Sequence, residues 1–353
     1  MISCSPQQFS KTTTGQIMLL VMAACVPAVL MSTYFFGIGT LLNIGLAAIF
    51  ALLLESAVLK FRDKDIRLHL SDNSALVTAV LLGITMPPGS QWWLTLSGVF
   101  CAIVIAKHAF GGLGHNPFNP AMSGYVILLL FFPLAMTSWH IPVALSGDEL
   151  FSPLSFDSLL SSIQLVFPTL APDSASHASS FTDGMAMATP LIEQNLAGHS
   201  AIKTVLDADG GLGAILDRAS ETGWELVNTG FLVGGLFLMW KKVISWHIPV
   251  SIIGSILLLS LLFYADSGVS TNGSAYLHLF GTATMIGAFF IATDPVSAAA
   301  SSKGKLLYGV IIGCGVYSIR VWGGYLDSIA FAVLIGNFCV PLIDHFCTRE
   351  IRH

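Results

Sequence analysis

Residues 17–37 read IMLLVMAACVPAVLMSTYFFG, 21 positions without a charge. About 20 apolar residues, with a range of roughly 17 to 25, cross the hydrocarbon core of a bilayer as a helix. This stretch is therefore predicted to be a transmembrane helix. It follows a short polar start and lacks a small-residue cleavage site, so a retained span is expected rather than a signal peptide. The rest of the chain is of the same kind. Its 353 residues are 54% hydrophobic and 10% charged, whereas soluble domains are about 25% charged.

Outward from this run, further apolar stretches cover 40–59, 74–89, 92–110 and 121–139. After a long polar break come 225–240, 243–264, 275–293, 306–322 and 325–346. The expectation is an all-α polytopic membrane protein with about ten spans. Residues 1–140 form an N-terminal membrane half, 141–222 an extracytoplasmic loop, and 223–353 a C-terminal membrane half.

Charge orients these spans. With the N-terminus in the cytoplasm and sides alternating, Lys11, Lys60, Arg62, Lys64, Arg67, Lys107, Lys241, Lys242, Lys303, Lys305, Arg349 and Arg352 all fall inside. Only Lys203, Arg218 and Arg320 fall outside. This is the positive-inside bias, and one missed span would break it. The loop is then external. It carries ten acidic residues against Lys203 and Arg218, a net of −8, while the whole chain has −5. It is too long for a mere connector, and a lid of short helices is expected there.

Two spans resemble each other. TAVLLGITMPP (78–88) and TATMIGAFFIATDP (282–295) both start Thr-Ala, carry a mid-helix glycine and end in Thr-x-Pro. They are third in their respective halves. Five spans per half is odd, so the halves run in opposite senses, as in inverted repeats whose broken helices meet around a midplane site.

Four polar features interrupt or end the apolar runs. FGGLGHNPFNPA (110–121) holds three glycines and two Asn-Pro pairs and cannot be a continuous helix. It reads either as a re-entrant turn lining an ion path, with His115, Asn116 and Asn119 as polar groups, or as an ordinary tight cytoplasmic turn. Asp294, in FFIATDPVS (289–297), is a candidate for the same path or a solvated helix-end carboxylate. Glu55 lies inside the second span and is expected to snorkel and pair with Lys60 one turn on. Asp344 reads the same way at the inner end of the last span.

Several chemistries are absent. No Walker-type or dinucleotide-binding glycine motif occurs. No Ser/His/Asp or Cys/His arrangement has local support, so no complete active site is expected. The six cysteines avoid the loop and form no C-x-x-C, which argues against disulfides and against a self-contained zinc or iron–sulfur site. No basic stripe with interleaved aromatics offers itself to nucleic acid.

Within the loop, FTDGMAMATPLIE (181–193) holds Thr189 before Pro190, with Glu193 in the following turn. Thr189 is either a helix N-cap or an attachment point. Gly184, Ala186 and Ala188 would let a bulky group approach the backbone, and a phosphate there would meet a helix N-terminus.

Together, FGGLGHNPFNPAMSGY (110–125), SALVTAVLLGITMPPG (74–89), FFIATDPVSA (289–298) and DGMAMATPL (183–191) resemble the NqrB/RnfD family. It comprises the RnfD (RsxD) protein of the Rnf (Rsx) ion-translocating electron transport complex and its homologue NqrB of the sodium-pumping NADH:quinone reductase. The resemblance implies a bacterial inner-membrane protein with cytoplasmic termini and a periplasmic loop. It also implies FMN joined by a phosphoester to the last threonine of a motif close to D/S-G-A-S/T-x-A-T. Asp183, Gly184, Ala188 and Thr189 match it; Met185 and Ala186 depart from it. Further implications are partner subunits of the same complex, a flavin-attaching transferase during maturation, and a second, non-covalent flavin known in relatives. The expected function is an electron relay within an ion-translocating oxidoreductase. The alternatives are a small-solute channel or secondary transporter without flavin, and a passive membrane anchor whose loop binds partners.

Overall fold

A computed structural model describes residues 13–139, 156–168, 223–263, 275–323 and 328–349. Helix α1 (Thr14–Phe36) starts with a capping box: the Thr13 hydroxyl accepts from the Gln16 amide, and the Gln16 side chain accepts from the Thr13 amide. Helix α2 (Gly39–Phe61) returns, and α3 (Ile66–Leu70) is a short surface turn capped by Asp65. Helix α4 (Ser74–Thr85) stops short of residue 89, the predicted end of its span. Pro87 drives Met86 to extended backbone (φ −80°, ψ 148°). Helix α5 (Trp92–Phe100) continues as a π-helix, Cys101–His108. Pro120 starts α6 (Pro120–Phe131), and Pro133 separates it from α7 (Pro133–Thr137). Helix α8 (Phe156–Val166) belongs to the segment read as a loop.

The second half holds α9 (Trp224–Trp240), α10 (His247–Leu262), α11 (Ala275–Phe280), α12 (Thr284–Ile286) with a π-helix Gly287–Ile291, α13 (Ser302–Trp322) and α14 (Ser328–Arg349). The expected continuous span 275–293 is thus broken between α11 and α12. At the break the His278 carbonyl accepts from the hydroxyls of Thr282 and Thr284, at 3.0 and 2.6 Å, and from Arg320 Nη1 of α13 at 2.7 Å.

The chain is an all-α polytopic membrane protein. Among the described residues, four helices are long and apolar enough to cross a membrane, and five more are apolar but shorter. A 12-residue helix is about 18 Å long, well short of a hydrocarbon core of about 30 Å. Helices α4 and α6 therefore leave irregular backbone at depth, which is tolerated only where protein or a water-lined cavity covers it.

Small residues bring the helices together, as expected where lipid removes the hydrophobic drive between them. On α9, Gly230 and Gly234 face Ala28 and Ala24 of α1, so these two helices run antiparallel. On α13, Gly309 and Gly313 face Ser251 and Ser255 of α10, so these two run parallel. Both senses agree with strict alternation of ten spans. In each half the second span packs on the third and fourth, and the fourth on the fifth. Between halves, α1 packs on α9 and α6 on α14. This is the pairing that two inverted halves produce.

A Cβ on Gly313 would collide with the Ser255 side chain and the Ile252 carbonyl. Gly313→Leu is expected to destabilise by about 1–3 kcal/mol through overpacking, measured as lost monodisperse protein in detergent after mild heating. Gly45→Leu is the control, because its Cβ position is open.

The two ends of the bundle differ. Arg62 donates to the His108 carbonyl at 3.3 Å, and the Ala300 amide donates to Asp344 at 3.1 Å. These bonds tie the close of α2 to that of α5, and the start of α13 to the close of α14. Lys60, Arg62, Lys64, Arg67, Lys107, Lys241, Lys242, Lys303 and Lys305 gather at this end, and Arg320 lies at the other. At that other end Trp139 meets Trp224 (4.7 Å between centroids) and Phe36 meets Trp224 (5.1 Å).

Candidate functional site

Three polar or open features lie along the interior. The first is an ion pair at the basic end. Glu55 Oε1 lies 2.8 Å from Lys107 Nζ, and Glu55 Oε2 lies 3.1 Å from His108 Nε2. All three residues are buried. Lys107 also donates to Ser74 Oγ (2.9 Å), which in turn donates to Asp72 (2.6 Å). Glu55 therefore pairs with Lys107, 52 residues away, and not with Lys60 as its helical spacing predicts. The π-helix of α5, closed by Ala109 N–H on the Val104 carbonyl (3.0 Å), carries both Lys107 and His108 into this contact. Such bulges concentrate at functional sites.

The second feature joins the halves. Asn119 caps α6, its Oδ1 accepting from the Met122 amide (3.1 Å), while its Nδ2 donates to the Ile291 carbonyl at the end of the second π-helix (3.1 Å). Three residues on, Asp294 accepts from the Ser297 hydroxyl (2.8 Å). Buried Tyr308 donates to Asn337 Oδ1 (2.6 Å). Asn116 is also buried; its Nδ2 donates to the Phe118 carbonyl (3.0 Å), and its Oδ1 has no partner among the described residues. The structure thus brings Asn119 close to the Asp294 turn. It does not add His115, which is exposed and hydrogen-bonded through its amide to the Gly112 carbonyl. The three glycines of this turn have φ of +122°, +104° and +90° at Gly111, Gly112 and Gly114. Non-glycine residues rarely adopt such backbone, so the turn depends on them.

The third feature is a cleft between the halves at the basic-poor end. It is partly open to solvent and is walled by residues of α1, α4, α6, α9, α12 and α14. Thr85 from one interrupted third span and Ala283 from the other both line it. Met122 lies on the cleft too, so its inner limit is near the Asn119–Ile291 bond. Sequence reading missed this cleft. The one signal for it is Asn228, an isolated amide inside the apolar run WELVNTGF (224–231). Thr189, Asp183, Gly184 and Ala188 lie outside the described residues.

Fold and site together define a polytopic membrane protein whose two halves meet at interrupted helices, the build in which function sits at the junction. The chain belongs to the NQR2, RnfD, RnfE family, whose model matches residues 1–352. It is similar to the D subunit of the ion-translocating oxidoreductase complex of Aliivibrio salmonicida, with 48% identity over 349 residues, covering 98% of this chain and 96% of the relative. The D subunits from Yersinia pestis (47% over 355 residues, 99% and 97%) and Vibrio vulnificus (45% over 355 residues, 98% and 97%) are similar along their whole lengths as well.

Proposed function

We propose that this chain is the membrane subunit of an ion-translocating oxidoreductase complex and that it carries FMN covalently on Thr189 as an electron relay. Membership of the family and full-length similarity to the D subunits of such complexes support the first part. The observation that carries the second is DGMAMAT (183–189), which ends in the threonine the family motif requires. FMN supplies redox chemistry that no side chain here offers, and the protein supplies position and electrostatics. Asn119 and Asp294 are the polar groups of the proposed ion path. Moving one charge against 100 mV costs about 2.3 kcal/mol, a scale that one electron step can meet. Partners are the other subunits of the complex and, during maturation, a flavin-attaching transferase. The direct test is mass spectrometry of the peptide spanning Thr189, from cells that hold the transferase. A peptide heavier by one phosphoester-linked FMN is expected; a wholly unmodified peptide overturns the reading in favour of a flavin-free transporter or anchor.

The basic end faces the cytoplasm in this reading, with both termini inside and the acidic loop in the periplasm of a bacterial inner membrane. An impermeant maleimide added to intact cells is expected to label Ser176→Cys fully and Lys242→Cys only after lysis. The reverse pattern inverts the topology.

A further inference from the structure

We infer that the turn between α9 and α10 binds an anionic phospholipid at the basic end of the bundle, with Lys241 and Lys242 on its phosphate and Trp240 and Trp246 against its glycerol and acyl chains. None of these residues lines the cleft, and the inference does not depend on the flavin reading.

Helix α9 closes at Trp240 and α10 opens at His247, so residues 241–246 make the turn. Trp240 and Trp246 bracket it and are 73% and 55% exposed. Exposed tryptophans at the ends of spans sit at headgroup level, with the ring towards the acyl chains and the indole N–H towards water. Lys241 Nζ lies 4.6 Å from the centroid of the Trp240 ring and 5.8 Å from that of Phe237, one turn back on α9. Ring faces attract a cation, so this ammonium is held on the same side of the helix as Trp240, over the lipid. Lys242 follows in the left-handed region, with φ +57°. Its amide donates to the Met239 carbonyl (3.0 Å), and the Val243 amide to that of Leu238 (2.9 Å). This is the helix-ending motif in which the left-handed position is usually glycine. A lysine there carries a conformational cost that glycine avoids; what it adds is a second exposed ammonium, next in the chain to the first.

Charge decides the class of occupant. No acidic residue occurs between Glu225 and Asp266, so neither α9 beyond its first turn nor α10 offers these lysines a counter-ion. Among the described residues the ion pairs all belong to Glu55. The other basic turn at this end mixes Lys60, Arg62, Lys64 and Arg67 with Asp63, Asp65 and Asp72, and so largely neutralises itself. The occupant must put a negative group at the height of the lysines and apolar matter at the height of Trp240, Trp246 and the exposed Val250. A phospholipid with a net negative headgroup does both. A free anion has no apolar part, and a zwitterionic lipid brings its own ammonium. Basic residues at the membrane surface hold anionic lipids in this way.

The test is native mass spectrometry of the purified, delipidated full chain in detergent, titrated with dioctanoyl phosphatidylglycerol or dioctanoyl phosphatidylcholine. The first adduct is expected to form about 20-fold more tightly with phosphatidylglycerol, each lysine counting roughly fivefold (about 1 kcal/mol). Lys241→Gln/Lys242→Gln is expected to bring the two lipids level, and Lys241→Arg/Lys242→Arg to keep the preference. Lys60→Gln/Lys64→Gln removes as much charge from the same end and is expected to keep it too. All four lysines are exposed, so these variants leave the packed interior alone. A preference lost equally in both glutamine variants overturns the site and leaves a diffuse basic end. Displacement of the adduct by inorganic phosphate at the lipid's concentration makes it a free-anion site and overturns the lipid. Equal binding of the two lipids by the wild type overturns the inference outright; failure of the Lys241→Gln/Lys242→Gln chain to assemble with its complex would then give the turn to a protein partner.

Discussion

Replacing Thr189 with alanine is expected to abolish covalent flavin, seen as loss of the fluorescent band of this chain on a denaturing gel under ultraviolet light. Electron transfer through the assembled complex should fall with it. The expectation follows from bonding. A phosphoester needs a hydroxyl, and an alanine methyl cannot form one. Thr182, seven residues earlier, precedes the motif, so Thr182→Ala is expected to keep the band. A third variant separates attachment from helix capping. Asparagine caps a helix at least as well as threonine, whereas an alanine cap costs about 1 kcal/mol. Thr189→Asn should therefore keep the stability of the wild type and still be dark on the gel. A fluorescent Thr189→Asn band would place the flavin elsewhere. A dark wild-type band, in cells with the transferase, would leave Thr189 as a helix cap.

The second large effect concerns Glu55 and Lys107. Both lie among apolar helices, with 2% of each residue exposed, and their charged atoms are 2.8 Å apart. Removing one partner of a buried pair leaves an uncompensated charge and costs about 3–5 kcal/mol. Glu55→Leu and Lys107→Met are each expected to lower the unfolding temperature in detergent strongly and to reduce the yield of folded protein. Glu55→Leu/Lys107→Met removes both charges and should recover much of the loss, since apolar replacement of a whole pair is often neutral or stabilising. A double variant whose loss equals the sum of the two single losses would show no coupling and would refute the pair. His108 sits 3.1 Å from the second carboxylate oxygen. His108→Ala, which leaves the Lys107 bond in place, should cost less than either single change.

The two variant series address different links between sequence and function. The Thr189 changes test the proposed attachment in the acidic stretch 141–222 and leave the membrane body untouched. Glu55 and Lys107 concern the body itself, because their bond holds the close of α5 against α2 beside Ser74 at the start of α4. The cleft connects both concerns: its walls belong to the body, and its rim holds the two ends of the loop segment.

Composition and the length of apolar runs were enough to read an all-α membrane protein, because hydrocarbon accepts only segments that satisfy their own backbone. The charge count separated one end of the bundle from the other, and the Thr-x-Pro endings pointed to the two spans that stop early. Asn119 and Asp294 were legible as polar groups beside prolines. The contacts were not. Helical spacing offered Lys60 to Glu55, but the structure supplies Lys107 from another helix, since a lysine at the wet end of α2 has water and a buried lysine on α5 has none. The run 275–293 looked continuous, but it breaks where the His278 carbonyl takes two threonine hydroxyls and Arg320 of another helix. His115 and Asn119 looked equivalent in one turn, yet only Asn119 reaches the other half of the bundle. Asn228 and the cleft had almost no signature at all. Apolar patterning depends on what each residue must avoid, and every segment carries that information alone. Partners, breaks and cavities depend on which segments face each other, and that is settled only when small residues let particular helices close together.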